Sequence, residues 1–296
     1  MSAATSPSTG KIYGIARACE VLDYPRSTFY AQRAAQGEAV TPIKRRGPKP
    51  MLSDQGLLEA IQKDLETSPF SGEGHRKVWA RLRVRDQIRV ARKRVLRVMR
   101  ENNLLSPHRR PVEPKPHDGE IITDAPNEMW GTDGVRLFTL DDGWVWLFAV
   151  VEHWNAECIG WFVTKHGTRF SALEPIRMGL QRIFGSTQKD VARGLALRMD
   201  HGTQYLANHF LNQIRFWGIA PSFAFVEEPQ TNGVAERFNR TLKEQCIFGR
   251  VFRNLEEVRA AVADFVELYN NHWLVEKLGF KSPLQARQEY GLREAA

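Results

Sequence analysis

Between residues 127 and 250 short apolar runs alternate with amphipathic stretches, and that order leaves few folds open. Residues 129–138 read as a strand, Asp141-Asp142-Gly143 as a hairpin turn, and 144–151 as a buried second strand. A third apolar run spans 158–163. The pattern then predicts a helix over about 168–184, a short strand over 195–199 that ends at Asp200, and a helix over about 205–217. A fifth strand over 222–225 and a helix opening near Gly233 complete it. The order β-β-β-α-β-α-β-α implies a mixed α/β layer, with three antiparallel strands followed by crossovers that add the others.

What precedes this layer differs in charge. Residues 1–117 carry 23 Lys+Arg against 11 Asp+Glu, whereas the remainder carries 19 against 23. A basic half joined to a slightly acidic one suits binding of a polyanion, with nucleic acid the leading partner. In residues 1–36, Ile15, Ala18, Cys19 and Leu22 share a helical face, Asp23-Tyr24-Pro25 breaks it, and Ser27 is placed to cap a second helix. The pair is helix-turn-helix-like. Residues 37–53 read as an extended basic linker in which Arg45 and Arg46 could enter a minor groove. Residues 54–105 read as a second basic helical DNA-binding domain. Its last helix, over about 91–103, sets Ala91, Val95, Val98 and Met99 on the core stripe. Arg92, Lys93, Arg94 and Arg97 remain on a polar face that only phosphates would neutralise. Prolines 107, 111, 114, 116 and 126 mark a hinge over 106–126. The layer occupies 127–250, and a helical tail with an apolar face from Leu255 to Tyr269 fills 251–296.

Other classes fit poorly. The longest apolar run, 144–151, is far short of the roughly 20 residues that span a bilayer. The first ten residues lack the apolar stretch of a secretory signal. Cys19, Cys158 and Cys246 have no CxxC spacing, which argues against a disulfide framework or zinc knuckle and fits a reducing cytoplasm.

Three carboxylates stand at telling places. Asp133 lies within the first strand between Gly131 and Gly134, which leave room beside it. Asp200 ends the fourth strand, where such sheets bind ligands, and Glu236 opens the closing helix. If the first and fourth strands are neighbours and the helix crosses them, the three acids converge and require a divalent cation. Oxygen-only ligands favour Mg²⁺ or Mn²⁺ over zinc. His201 adjoins Asp200 and is a candidate auxiliary group.

Asp200 and Glu236 are separated by 35 residues, and they sit in Asp200-His201-Gly202-Thr203-Gln204-Tyr205 and in the run 230–244, QTNGVAERFNRTLKE. Together with Asp133, these motifs resemble the DDE catalytic core of retroviral integrases. More closely, they resemble bacterial insertion-sequence transposases of family three, specifically the second-reading-frame product. The resemblance extends over the basic region, the hinge, the core and the tail motif at 281–286, KSPLQA. Thr231 stands where that family often has an acid.

The resemblance implies an RNase H-like fold with Asp133, Asp200 and Glu236 as catalytic metal ligands, and Lys243 as a contact to terminal DNA. Arg240 and Lys243 share a helical face with Glu236. It further implies a Mg²⁺-dependent transposase in which two ions promote in-line cleavage at an element's end, followed by strand transfer from the new 3′-hydroxyl. The expected partners are double-stranded DNA, further copies of the chain, and a first-reading-frame product as partner or fusion. A catalytically silent DNA-binding regulator and a nuclease that only hydrolyses remain the alternatives.

Overall fold

The computed structural model describes residues 3–37, 51–106, 121–224 and 232–294, and divides into two compact units, Met1–Met51 and Leu52–Ala296. In the first unit, α1 (Gly14–Val21) and α2 (Arg26–Gly37) flank a sharp reversal. Asp23 makes that reversal with a left-handed backbone, φ 48°, and the Tyr24 amide donates to the Cys19 carbonyl at 2.8 Å. α2 starts one residue before Ser27, directly after Pro25, whose fixed φ suits a helix entrance.

The second unit opens with three helices, α3 (Asp54–Thr67), α4 (His75–Val84) and α5 (Arg92–Glu101). The Ser53 hydroxyl caps α3 by accepting from the Gly56 amide at 3.0 Å. Leu57, Ile61, Val78, Leu82, Val95, Val98 and Met99 form their shared core. Ala91 falls just outside α5 as its N-cap residue. The fully buried Asp64 takes two guanidinium groups, Arg81 and Arg85, which satisfies a charge that would otherwise be costly inside.

Then come β1 (Met129–Thr139), β2 (Gly143–Glu152), β3 (Cys158–Thr164), α6 (Arg169–Phe184) and β4 (Ala196–Met199). They are followed by α7 (Thr203–Leu206), α8 (Asn208–Phe216), β5 (Ala220–Phe223), α9 (Gly233–Leu242), α10 (Leu255–His272) and α11 (Pro283–Glu294). The sheet order is β3-β2-β1-β4-β5. β1–β2 and β2–β3 pair antiparallel, while β4 joins β1, and β5 joins β4, in parallel. This is the mixed α/β, RNase H-like layer expected from the order of elements.

Period-two alternation divides the apolar residues of β1 and β2 between two faces. Val135, Leu137, Val145 and Leu147 pack under α9 and α10; Trp130, Phe148 and Val150 pack under α6 and α8. The central strands are therefore covered on both sides, as parallel pairing requires.

Two elements depart from expectation. β5 begins at Ala220, two residues early, and Phe225 lies outside the described residues. The helix expected over 205–217 is two helices, because Ala207 takes an extended backbone between them. Tyr205 and Phe210 are five residues apart, so a continuous helix would point them well away from each other. The break brings both rings into the core, edge to face at 5.3 Å.

Phe70, on the loop between α3 and α4, does not stay with the three-helix core. It packs into the cluster under α9 and α10 and meets Trp273 edge-on at 4.9 Å. Beside it, the Gln245 side chain accepts from the Ser71 amide at 2.9 Å and donates to the Ser71 carbonyl at 2.8 Å.

Candidate active site

Asp133 points to the α9–α10 face of β1, with Val135 and Leu137. It is half-buried. Its Oδ2 accepts from Asn239 Nδ2 at 2.8 Å and its Oδ1 from the Gly134 amide at 2.7 Å. Burial pushes its pKa above the usual carboxylate range, and the charge of Asp200 adds to that. The two hydrogen bonds and the positive field of Lys243 oppose the shift.

Asp200 is the first residue beyond β4. The parallel pairing of β1 with β4 places Gly131 opposite Arg198. Two residues further along each strand, the same register sets Asp200 beside Asp133, on strands that in a sheet run about 4.8 Å apart. Asp200 is exposed, and its Oδ1 accepts from the Gly202 amide at 2.9 Å, just ahead of α7.

Glu236 stands in the first turn of α9, exposed, with its pKa raised by partial burial and then by repulsion from Asp133. Asn239, Arg240 and Lys243 follow it at the i+3, i+4 and i+7 positions of one helical face, the last at the point where a π-helix, Lys243–Ile247, continues α9. A cleft of about 460 Å³ is lined by Asp133, Glu236, Asn239, Arg240, Lys243, Glu244 and Phe248. Asp200 adjoins Asp133 without lining this cleft. Among the described residues, no three His, Cys, Asp or Glu side chains stand close enough together to hold one metal ion. None of the three acids forms an ion pair among those residues, whereas Arg240 pairs with Glu244 at 2.8 Å.

The glycines beside Asp133 do not leave room for a ligand. A Cβ on Gly131 would sit 3.1 Å from both Asn232 Oδ1 and His153 Nε2, and one on Gly134 would meet the Phe148 ring at 2.8 Å. The space is filled by packing: the entrance of α9 and the turn after β2 close onto the β1 backbone at Gly131, and the Phe148 ring of β2 closes onto it at Gly134.

Sequence reasoning missed the three residues that hold this corner. Asn239 fixes Asp133. The Asn232 side chain ties the entrance of α9 to β1 by donating to the Thr132 carbonyl at 3.1 Å. His153 is buried, and its pKa is depressed to about 4, chiefly by burial and further by Lys277 and Arg198. Asn239 carried a readable signal, a polar residue one turn from Glu236 on the face turned to the sheet. His153 carried none.

The cationic candidates on α5 have acidic partners. Arg94 donates to Asp54 and to the Leu52 carbonyl, Arg97 bridges Asp54 and Glu101, and Arg92 meets Glu276 at 3.4 Å. The expectation that only phosphates could neutralise this face is therefore corrected. Asp54 and Glu276 lie far from α5 in the sequence and reach it only through the fold. Lys93 is exposed. Arg45 and Arg46, most of the 37–53 linker and most of the 106–126 hinge lie outside the described residues. His201 stacks on Phe223 at 5.5 Å, turned to a ring of the neighbouring strand.

Family models describe the same regions. Residues 123–229 and 217–283 each match an integrase core domain, and residues 53–112 match an HTH-like domain. Over 220 residues the chain is 29% identical to "Transposase InsD for insertion element IS2A/D/F/H/I/K" of Escherichia coli, covering 71% of each chain. The match to the InsD transposase of element IS2-9 in strain K12 is also 29% over 220 residues, covering 71% of this chain and 70% of that one. Among solved structures, the catalytic core domain of BIV integrase is similar at 19% identity and a TM-score of 0.41, over 57% of this chain and 99% of that one. The HTLV-2 integrase catalytic core domain, solved in complex with magnesium, is similar at 15% identity and a TM-score of 0.38, over 54% and 96%. With an HTH-like domain leading into an integrase core that carries the mixed sheet and its acidic cleft, the chain is similar to insertion-element transposases through these regions and is a transposase, a polynucleotidyl transferase.

Proposed function

We propose that Asp133, Asp200 and Glu236 form the catalytic centre, and that it cuts and joins DNA at the ends of an insertion element. The observation that carries this is the register of β1 and β4, which sets Asp133 and Asp200 side by side, with Glu236 across the cleft on α9. Their donors are all carboxylate oxygens, and none forms an ion pair among the described residues. Burial and mutual repulsion hold two of them above their ordinary pKa. The chemistry of these donors suits a hard divalent cation, Mg²⁺ or Mn²⁺, two per site; Asp133, Asp200 and Glu236 would hold the ions by drawing closer than they stand here, where no three acids among the described residues converge on one point. When bound, the metal supplies Lewis-acid activation of an attacking hydroxyl and charge stabilisation for the leaving oxygen.

The chain's own groups do the positioning. Asn239 holds the Asp133 carboxylate at a fixed angle, as hydrogen-bonded neighbours of metal ligands commonly do. Lys243, and Arg240 one turn before it, meet the DNA backbone at the cleft. The α5 cations, Arg92, Lys93, Arg94 and Arg97, and the linker residues Arg45 and Arg46 grip phosphates further out. Strand transfer handles two ends, so several copies of the chain act together on the DNA, alone or with a first-reading-frame partner, in the cytoplasm.

The test is incubation of purified protein with a labelled duplex bearing the inverted repeats that flank its gene, in Mg²⁺. A joined product is expected. Cleavage without joining would indicate a nuclease, and a shifted but intact duplex a binder alone. Asp133→Asn, Asp200→Asn and Glu236→Gln should each abolish cleavage while retaining most duplex affinity; appreciable cleavage by any of them would overturn the assignment.

A further inference from the structure

We propose that Phe248 is a stacking post for an unpaired nucleobase next to the reacting phosphate. After α9 the helix widens into the π-turn, and the Phe248 amide closes it by donating to the Lys243 carbonyl, five residues back, at 2.8 Å. Gly249, at φ 80°, then turns the chain away. Cys246 is buried and Ile247 packs against the core, yet the Phe248 ring is left 60% exposed. It lines the same cleft as Asp133, Glu236, Arg240 and Lys243.

An apolar ring beside two cations matches the two halves of a nucleotide, base against ring and phosphate against cation. A base inside a duplex has both faces covered by its neighbours, so only one pulled out of the stack can use the ring. The ring therefore accepts any base, which suits a residue acting at the scissile position rather than one that reads sequence. Other observations on the exposed aromatics point elsewhere: Phe138 on β1 and Trp144 on β2 lie on the opposite side of the sheet, with Arg136 over Trp144 at 4.9 Å. They belong to no cleft that holds the acids.

The proposal rests on the reading of the cleft as the catalytic centre, and the experiment separates the two. The probe is the element-end duplex with 2-aminopurine replacing the base 3′ of the scissile phosphate. Binding is followed by its fluorescence in Ca²⁺, and cleavage in Mg²⁺. Wild type and Phe248→Trp should change the 2-aminopurine signal on binding; Phe248→Ala and Phe248→Leu should not, with affinity for the end lowered about tenfold. All four should melt at the same temperature, because the ring is exposed. In turnover, KM should rise more than kcat falls. Phe248→Leu keeps the apolar bulk, so wild-type behaviour in that variant would overturn stacking. Wild-type cleavage in Phe248→Ala, with the same fluorescence change on binding as wild type, would overturn the base contact and leave the cleft's assignment standing. A wild type that cuts no end at all would bring down both.

Discussion

Asn239 makes the sharpest case at the level of single residues. It gives Asp133 its one side-chain donor among the described residues, and its own Oδ1 is buried without a partner there. Asn239→Ala should lower single-turnover cleavage about 10- to 100-fold and raise the Mg²⁺ requirement, without moving the thermal midpoint far. Asn239→Asp should do worse, since it sets a second negative charge against Asp133. A metal titration of the two variants checks the order. His153 predicts a pH effect on stability rather than on chemistry. Its folded pKa lies near 4 against 6.5 when unfolded, so between those values the unfolded chain takes up a proton that the native one refuses. Stability should fall by about 2 kcal/mol from pH 7 to pH 5, and His153→Gln should flatten that slope in urea titrations at the two pH values. The His153 effect could not be read from the sequence, where His153 is one of eight histidines. Its ring shares the space over Gly131 with the Asn232 side chain, 79 positions away along the chain.

At the level of elements, patterning carried most of the fold. Short apolar runs and the turn signal between them marked β1, β2 and β3, and the apolar stripe from Leu255 to Tyr269 marked α10, because each of these elements is buried in the core. What patterning could not carry was register and breakage. The alignment of Asp133 with Asp200 depends on a parallel pairing between strands far apart in the chain, and the break at Ala207 depends on two rings seeking one core. Close backbone contact is similarly silent. Gly160 on β3 lies against α6, where an added Cβ would run into the Pro175 carbonyl, a backbone atom that cannot swing aside. Gly160→Ala should therefore force α6 off the sheet and cost roughly 3 kcal/mol or more, measured as a shift of the denaturant midpoint. At Gly134 the obstacle is the edge of the buried Phe148 ring, a side chain rather than backbone, and the same substitution there should cost less.

The second unit as a whole is knit across what composition reads as a boundary. The charge change and the prolines between 106 and 126 suggest a seam, but Phe70 crosses it to fill the cluster under α9 and α10, Trp79 meets Phe280 at 5.7 Å, and Arg76 pairs with Glu276 at 2.6 Å. The two basic helices and the catalytic layer thus share part of one apolar interior. Phe70→Ala should cost about 3–5 kcal/mol, as for other large core deletions, and should lower the melting temperature of catalytic layer and helices together. Two separate calorimetric transitions in wild type, with only the first moved by the substitution, would show the interior to be divided.

That shared phenyl ring has a practical corollary for anyone who wants to repurpose the enzyme. Grafting a foreign targeting module in front of the prolines would leave a ring-sized hole beside Trp273 and strip Gln245 of both its tethers at the root of the catalytic helix. The reprogrammed recombinase would inherit a weakened engine, unless the short stretch around Phe70 and Ser71 travelled with the part that cuts.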